Sequence, residues 1–157
     1  MRWLTNAKIM TINNYIEMMT NLEWKDKTIL IAEDDDFSFI YLKEILSGTG
    51  LNIVYAENGI RAFAECLKNP DISLVLMDIK MPVVNGLEST RLIKKYKPYI
   101  KVIAQTAFAM SDDKIKCFNA GCDDYIAKPV IAEELLSKLA YYLSSPVDQV
   151  IQENAVE

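Results

Sequence analysis

Five short apolar runs, each ending abruptly on polar or charged residues, constrain the fold of this chain more than any other feature. They are "TILIA" (28–32), "LNIVYA" (51–56), "ISLVLMD" (72–78), "KVIAQTA" (101–107) and "DDYIA" (123–127). Their lengths and β-branched content read as strands. Because they are continuously apolar rather than alternating, both faces of each strand must be covered, which requires a parallel sheet between two layers of helices. The intervening segments supply those helices. Residues 37–47 are apolar and helix-compatible, with Gly48 and Gly50 to stop them. After Asn58-Gly59, residues Ile60, Phe63, Ala64 and Leu67 recur at three, four and seven positions, which predicts one buried helix face. This helix ends at Asn69-Pro70. Further helices are expected over 86–97, over 111–120 with Ser111 as N-cap and Gly121 past the end, and over 131–144, where Leu135, Leu136, Leu139 and Leu143 share one side.

The sequence of 157 residues fits a single domain with a substantial core. A net charge of -5 and a pI near 4.9 argue against a nucleic-acid surface, which needs clustered Lys and Arg. Cys66, Cys117 and Cys122 form no Cys-x-x-Cys pair and have no histidine to join them as metal ligands, so they read as reduced thiols of a cytoplasmic protein. The absence of histidine removes His-based catalysis and any phosphohistidine donor from the chain. No apolar run approaches the roughly 20 residues of a membrane span, and the N-terminus lacks the apolar stretch of a signal peptide. No contact with nucleic acid or membrane is expected.

In a parallel sheet of this kind, chemistry collects outside the carboxyl ends of the strands. The first strand ends in Glu33 and Asp34, the third in Asp78, the fourth in Thr106 and Ala107, and the fifth in Lys128-Pro129. Each alone is ordinary: a strand-end Asp caps helices, Thr106 could be a strand threonine, Lys128 a surface lysine and Tyr125 a core aromatic. Asp35 and Asp36 read as a solvated turn that caps the first helix. Together, three acids, a hydroxyl and a lysine converge on one edge.

The set "ILIAEDD", "LVLMDIKMPVVNG", "VIAQTA" and "DDYIAKP", in this order, resembles the receiver domain of two-component response regulators over residues 27–144. The resemblance implies a flavodoxin-like (βα)5 fold, a doubly wound parallel sheet of five strands in the order 2-1-3-4-5. It implies that Asp78 accepts a phosphoryl group from the phosphohistidine of a histidine kinase or a histidine phosphotransfer domain. It implies Mg²⁺ held by Asp34, Asp78 and the backbone carbonyl of Lys80, with Glu33 acting through water. Hard oxygen donors suit that ion, and a divalent cation relieves the repulsion among clustered carboxylates. Lys128, Thr106 and Ala107 would contact the phosphoryl group, and the Lys128-Pro129 bond would be cis. Phosphorylation adds about −1.5 to −2 charge; Thr106 would move inward and Tyr125 rotate, altering the face made by the fourth helix, fifth strand and fifth helix that a downstream protein reads. Lys80 and Phe108 would flank the entrance for hydrolytic water.

Residues 1–26 lie outside the resemblance. Ile9, Ile12, Ile16 and Met19 recur at helical spacing, so this leader is expected to be either an amphipathic helix, docked on the domain or pairing two copies, or a linker. Residues 24–27 resemble the joint by which receivers follow the core of hybrid histidine kinases. Residues 145–157 read as a tail. Two other readings compete. A Mg²⁺-dependent phosphohydrolase of the haloacid dehalogenase type needs a second Asp two positions after its nucleophile, where this chain has Lys80. A receiver-like binding module without phosphorylation would lack one of Asp78, Thr106 and Lys128, and all three are present.

Overall fold

The computed structural model describes residues 24–107 and 110–144. Strands β1 (Thr28–Ala32), β2 (Asn52–Ala56), β3 (Ile72–Asp78), β4 (Lys101–Thr106) and β5 (Asp124–Ala127) alternate with helices α1 (Asp36–Leu46), α2 (Gly59–Lys68), α3 (Gly86–Tyr96), α4 (Ser111–Ala120) and α5 (Ala132–Leu143). The strands form one parallel sheet in the order β2-β1-β3-β4-β5. This is the expected flavodoxin-like arrangement, with its switch point between β1 and β3. Among the described residues no helix is long and apolar enough to cross a membrane.

Alternation along each strand builds two cores. Leu30, Ala32, Val75, Met77, Val102 and Ala104 pack with Ala62, Cys66, Ile93 and Cys117 from α2, α3 and α4. Their neighbours Ile29, Ile31, Leu74, Leu76, Ile103 and Ile126 pack with Leu42 and Leu46 of α1 and the four expected leucines of α5. Trp24, which the sequence groups with the leader, is buried in this second core, so packing starts ahead of residue 27. The helical spacing at Ile9 to Met19 and the tail from residue 145 lie outside the described residues.

The sequence misplaces the inner face of α2. Gly59, Ala62 and Cys66 are buried, whereas Ile60 and Leu67 are exposed and Phe63 is half-buried against Tyr96. Small residues win the inner face because α2 lies close against neighbouring backbone: a Cβ at Gly59 would stand 2.2 Å from the Val84 carbonyl oxygen. Caps follow the expected chemistry elsewhere. Asp35, Asn58 and Asn85 accept from the amides of Ser38, Arg61 and Glu88 at 2.8, 2.9 and 3.0 Å. Asn85-Gly86 is a turn dipeptide by its sequence, and here Asn85 caps and Gly86 opens α3. In α4 the expected Ser111 cap is corrected by one residue. Met110 holds the extended cap backbone with no side-chain bond, and Asp112 and Asp113 supply negative charge to the first turn. Gly121 closes that helix in the left-handed region (φ 102°).

All three cysteines are free and buried. Burial pushes the thiols of Cys66 and Cys122 up to about 12 and raises that of Cys117. Only the thiolate reacts with disulfide reagents. Ellman's reagent at pH 8 should therefore leave the native protein unlabelled over the time in which denaturant-unfolded protein releases three equivalents of chromophore.

Candidate functional site at the carboxyl edge of the sheet

The carboxyl ends of β1, β3, β4 and β5 bring the anticipated residues together. Glu33 follows β1 as a fully buried acid whose amide donates to the Ala56 carbonyl at 3.0 Å, while Asp34 turns out to solvent. Asp78, the last residue of β3, is 6% exposed. Carboxylate oxygens from Glu33, Asp34 and Asp78 lie within 4.8 Å of one another. Three acids this close repel unless a cation sits among them.

Lys128 supplies part of that charge. Its Nζ lies 3.0 Å from Glu33 Oε2 and 3.2 Å from Asp78 Oδ2. The lysine is set by the chain leaving β5: its amide donates to the Thr106 carbonyl at 2.8 Å, and the Lys128-Pro129 bond is cis. Burial alone would lower the ammonium's pKa; the Glu33 hydrogen bond and the Asp78 charge outweigh it and raise the value. For Glu33, burial comes first and Asp78 adds to it, so the carboxyl is raised despite its bond to Lys128. Its other oxygen accepts from the Asp35 amide at 3.2 Å.

The amide of Lys80 donates to Asp78 Oδ1 at 3.2 Å, so the backbone after β3 folds over the carboxylate. In front of Asp78 is a cavity of about 160 Å³ whose rim includes Lys80, Thr106, Ala107 and Lys128. Thr106 is buried and Ala107 exposed. Phe108, expected at the entrance, lies outside the described residues. Among the lining residues not anticipated are three from α4: Asp113, Lys116 and Cys117. They lie remote in sequence from every strand end, and only the packing of α4 against the sheet brings them in.

Two glycines hold the loop after β3. The Gly86 amide donates to the Ile79 carbonyl at 3.0 Å, and a Cβ on Gly86 would stand 2.1 Å from the Asp78 carbonyl oxygen. Gly59 donates to the Val84 carbonyl at 3.1 Å and accepts from Ser89 Oγ at 2.8 Å. Asp78 is thus fixed from behind by backbone in van der Waals contact. Farther out, Tyr125 on β5 is half-buried, with Lys114 Nζ 4.7 Å and Lys138 Nζ 5.7 Å from its ring centroid and Phe118 edge-on at 6.2 Å.

A family model for the response regulator receiver domain matches residues 29–140. The polar-differentiation response regulator DivK of Brucella anthropi is 33% identical over 120 residues, covering 74% of this chain and 96% of DivK. A cyclic di-GMP phosphodiesterase of Thermotoga maritima is 38% identical over 120 residues, 76% of this chain; the chain spans only 32% of that protein's length. Among solved structures, the receiver domain of a sensor histidine kinase from Pseudomonas aeruginosa PAO1, with a magnesium ion coordinated in its active site cleft, superposes with a TM-score of 0.70. Identity there is 30%, over 76% of this chain and 98% of that one. The co-crystal structure of the Saccharomyces cerevisiae histidine phosphotransfer protein Ypd1 with the receiver domain of the response regulator Ssk1 gives 0.71 at 26% identity, over 74% of this chain and 88% of that one.

The fold is a doubly wound α/β domain whose strand tips gather three acids and a lysine. The chain belongs to the response regulator receiver family, the phosphoacceptors of two-component signal transduction.

Proposed function

We propose that Asp78 is the phosphoacceptor of this receiver and that a phosphohistidine, on a histidine kinase or a histidine phosphotransfer domain, is the donor. The observation that carries this reading is the placement of a buried strand-tip carboxylate 3.2 Å from a lysine ammonium, lining a cavity of about 160 Å³. One Asp78 oxygen attacks phosphorus as the bond to the imidazole nitrogen breaks, and the imidazole leaves with its electron pair. The transfer needs positioning and charge neutralisation more than covalent help. Lys128 balances the phosphoryl oxygens, and the Thr106 hydroxyl and the Ala107 backbone, on the same rim, bond to them.

The donor set fits Mg²⁺: hard carboxylate oxygens within 4.8 Å, two of the three acids buried, and too few ligands to displace all of the ion's water. Asp34, Asp78 and the Lys80 carbonyl would hold it directly and Glu33 through water. When bound, it supplies positive charge where the transferred group gathers negative charge.

The chain then acts as a switch rather than a turnover enzyme, working in the cytoplasm where kinase domains hold their phosphohistidines. Negative charge arriving beside Thr106 draws that residue inward and frees Tyr125 to repack. Tyr125 sits on the face of α4, β5 and α5, where Ile115 and Phe118 are exposed for a downstream protein. A phosphohydrolase reading is disfavoured because position 80 offers an ammonium where a second acid is required.

Beryllofluoride mimics the phosphoryl group and tests the proposal. Titrated with Mg²⁺ present, it should shift the amide resonances of Asp78, Thr106, Lys128 and Tyr125 saturably. EDTA should reverse the shifts and Asp78→Asn should abolish them. Equal shifts in Asp78→Asn would remove Asp78 from the assignment.

A further inference from the structure

Tyr125, on which the proposed switch turns, is held by ammonium groups from two different helices. Lys114 of α4 lies over its ring with Nζ 4.7 Å from the centroid, and Lys138 of α5 lies at 5.7 Å. Phe118, one helical turn after Lys114, meets the same ring edge-on at 6.2 Å. The two lysines are not equivalent. Lys138 is fixed by Asp124, both of whose carboxylate oxygens lie 3.0 Å from its Nζ, so its charge is balanced before it meets the ring. Lys114 is half-buried, and among the described residues its ammonium pairs with no carboxylate; the negative face of the ring stands where an ion-pair partner would.

The same two turns of α4 face the phosphoryl site. Asp113, Lys116 and Cys117 line the Asp78 cavity, whereas Lys114 and Phe118 on the adjacent side of the helix reach Tyr125. A shift of α4 at the cavity therefore carries Lys114 relative to β5. The start of this helix has no side-chain cap bond to hold it against such a shift.

We propose that Lys114 is a positioning residue of the switch: its ammonium clasps the Tyr125 ring in the resting arrangement, and the clasp opens when Tyr125 repacks. The inference rests on the Asp78 reading and adds the restraint that phosphorylation has to overcome. An interaction made in only one of two states biases their equilibrium by its own free energy. For a partly exposed cation over a tyrosine ring this amounts to a factor of about two to five. Removing the clasp should therefore tighten the binding of a phosphoryl mimic at Asp78. Simple loss of a positive charge near an anionic ligand would do the reverse, so the sign of the effect separates the two causes.

The test uses the full chain in two arms. Without any phosphoryl mimic, the ε-methylene protons of Lys114 should resonate upfield of their random-coil position through shielding by the Tyr125 ring, and Tyr125→Leu should return them to it. With Mg²⁺ present, Lys114→Met should bind beryllofluoride about two- to fivefold more tightly than the wild type. Lys114→Arg, whose guanidinium also stacks on aromatic faces, should restore the wild-type affinity. In a Tyr125→Leu background, Lys114→Met should leave the affinity unchanged, because the clasp is already gone. Unshifted ε-methylene protons, unchanged or weaker beryllofluoride binding by Lys114→Met, no restoration by arginine, or the same effect with and without Tyr125 would each overturn the proposal. A wild type that binds no beryllofluoride at all would instead sink the Asp78 assignment, and the proton shifts would still decide whether the clasp exists.

Discussion

Gly86→Ala should destabilise the fold by roughly 1–3 kcal/mol, in the range of overpacking that no rotamer can relieve. It should also cut phosphorylation of the protein that remains folded. The new methyl would stand 2.1 Å from the Asp78 carbonyl oxygen and 2.9 Å from Ile79 Cα, both backbone atoms with nowhere to move except along β3. Either α3 lifts away, losing the Gly86 to Ile79 hydrogen bond, or the end of β3 shifts and takes the Asp78 carboxylate with it. Urea denaturation measures the first effect and phosphorylation by acetyl phosphate under folding conditions the second. Gly59→Ala is the matched control. Its Cβ would meet the Val84 carbonyl oxygen at 2.2 Å, so it should lose comparable stability while disturbing Asp78 less. A Gly86→Ala protein within about 0.5 kcal/mol of wild type, as surface substitutions usually are, would contradict the packing argument.

Lys128→Met should have the second large effect, with a dependence on pH that identifies its cause. The lysine is hydrogen-bonded to Glu33, whose side chain is 1% exposed, and ion-paired with Asp78, whose side chain is 8% exposed. Removing one partner of such a group leaves buried charge uncompensated, a loss of roughly 2–4 kcal/mol at neutral pH once partial exposure of the lysine is discounted. Burial already raises the Glu33 pKa above 4.5, and the Lys128 bond opposes that rise. A carboxyl whose folded value lies above its unfolded one favours the fold below 4.5, and that contribution is lost as pH rises through the raised value. Without Lys128 the value rises further, so the variant's deficit should be small near pH 4 and widen toward neutrality. Lys128 itself, raised above 10.5, contributes stability that is full below 10.5 and lost as pH rises through its folded value. The variant should lack this alkaline limb. Thermal melts of both proteins across pH would read both limbs, and a deficit independent of pH would exclude the electrostatic cause.

The strands were legible because burial on both faces writes itself as unbroken apolar sequence, and the residue where each run stops is the residue presented at the sheet edge. That is why Glu33, Asp78, Thr106 and the Lys128 region could be named from order alone. The inner face of α2 was not legible, since hydrophobic spacing favoured Ile60 and Leu67 while close backbone approach selected Gly59, Ala62 and Cys66. Gly86 looked like turn chemistry, and its contact with the Asp78 carbonyl depends on how α3 docks. Asp113, Lys116 and Cys117 reach the cavity through the packing of α4, which no local pattern encodes.

The central claim is that one strand-tip carboxylate carries the phosphoryl group, and site mapping of that group tests it most directly. The protein is phosphorylated with acetyl phosphate in the presence of Mg²⁺, the acyl phosphate is trapped by borohydride reduction, and the peptides are sequenced by mass spectrometry. The reduced residue should be position 78, with labelling lost in Asp78→Asn or when EDTA is added first. Trapping at Asp34, at any other residue, or undiminished labelling of Asp78→Asn would contradict the account.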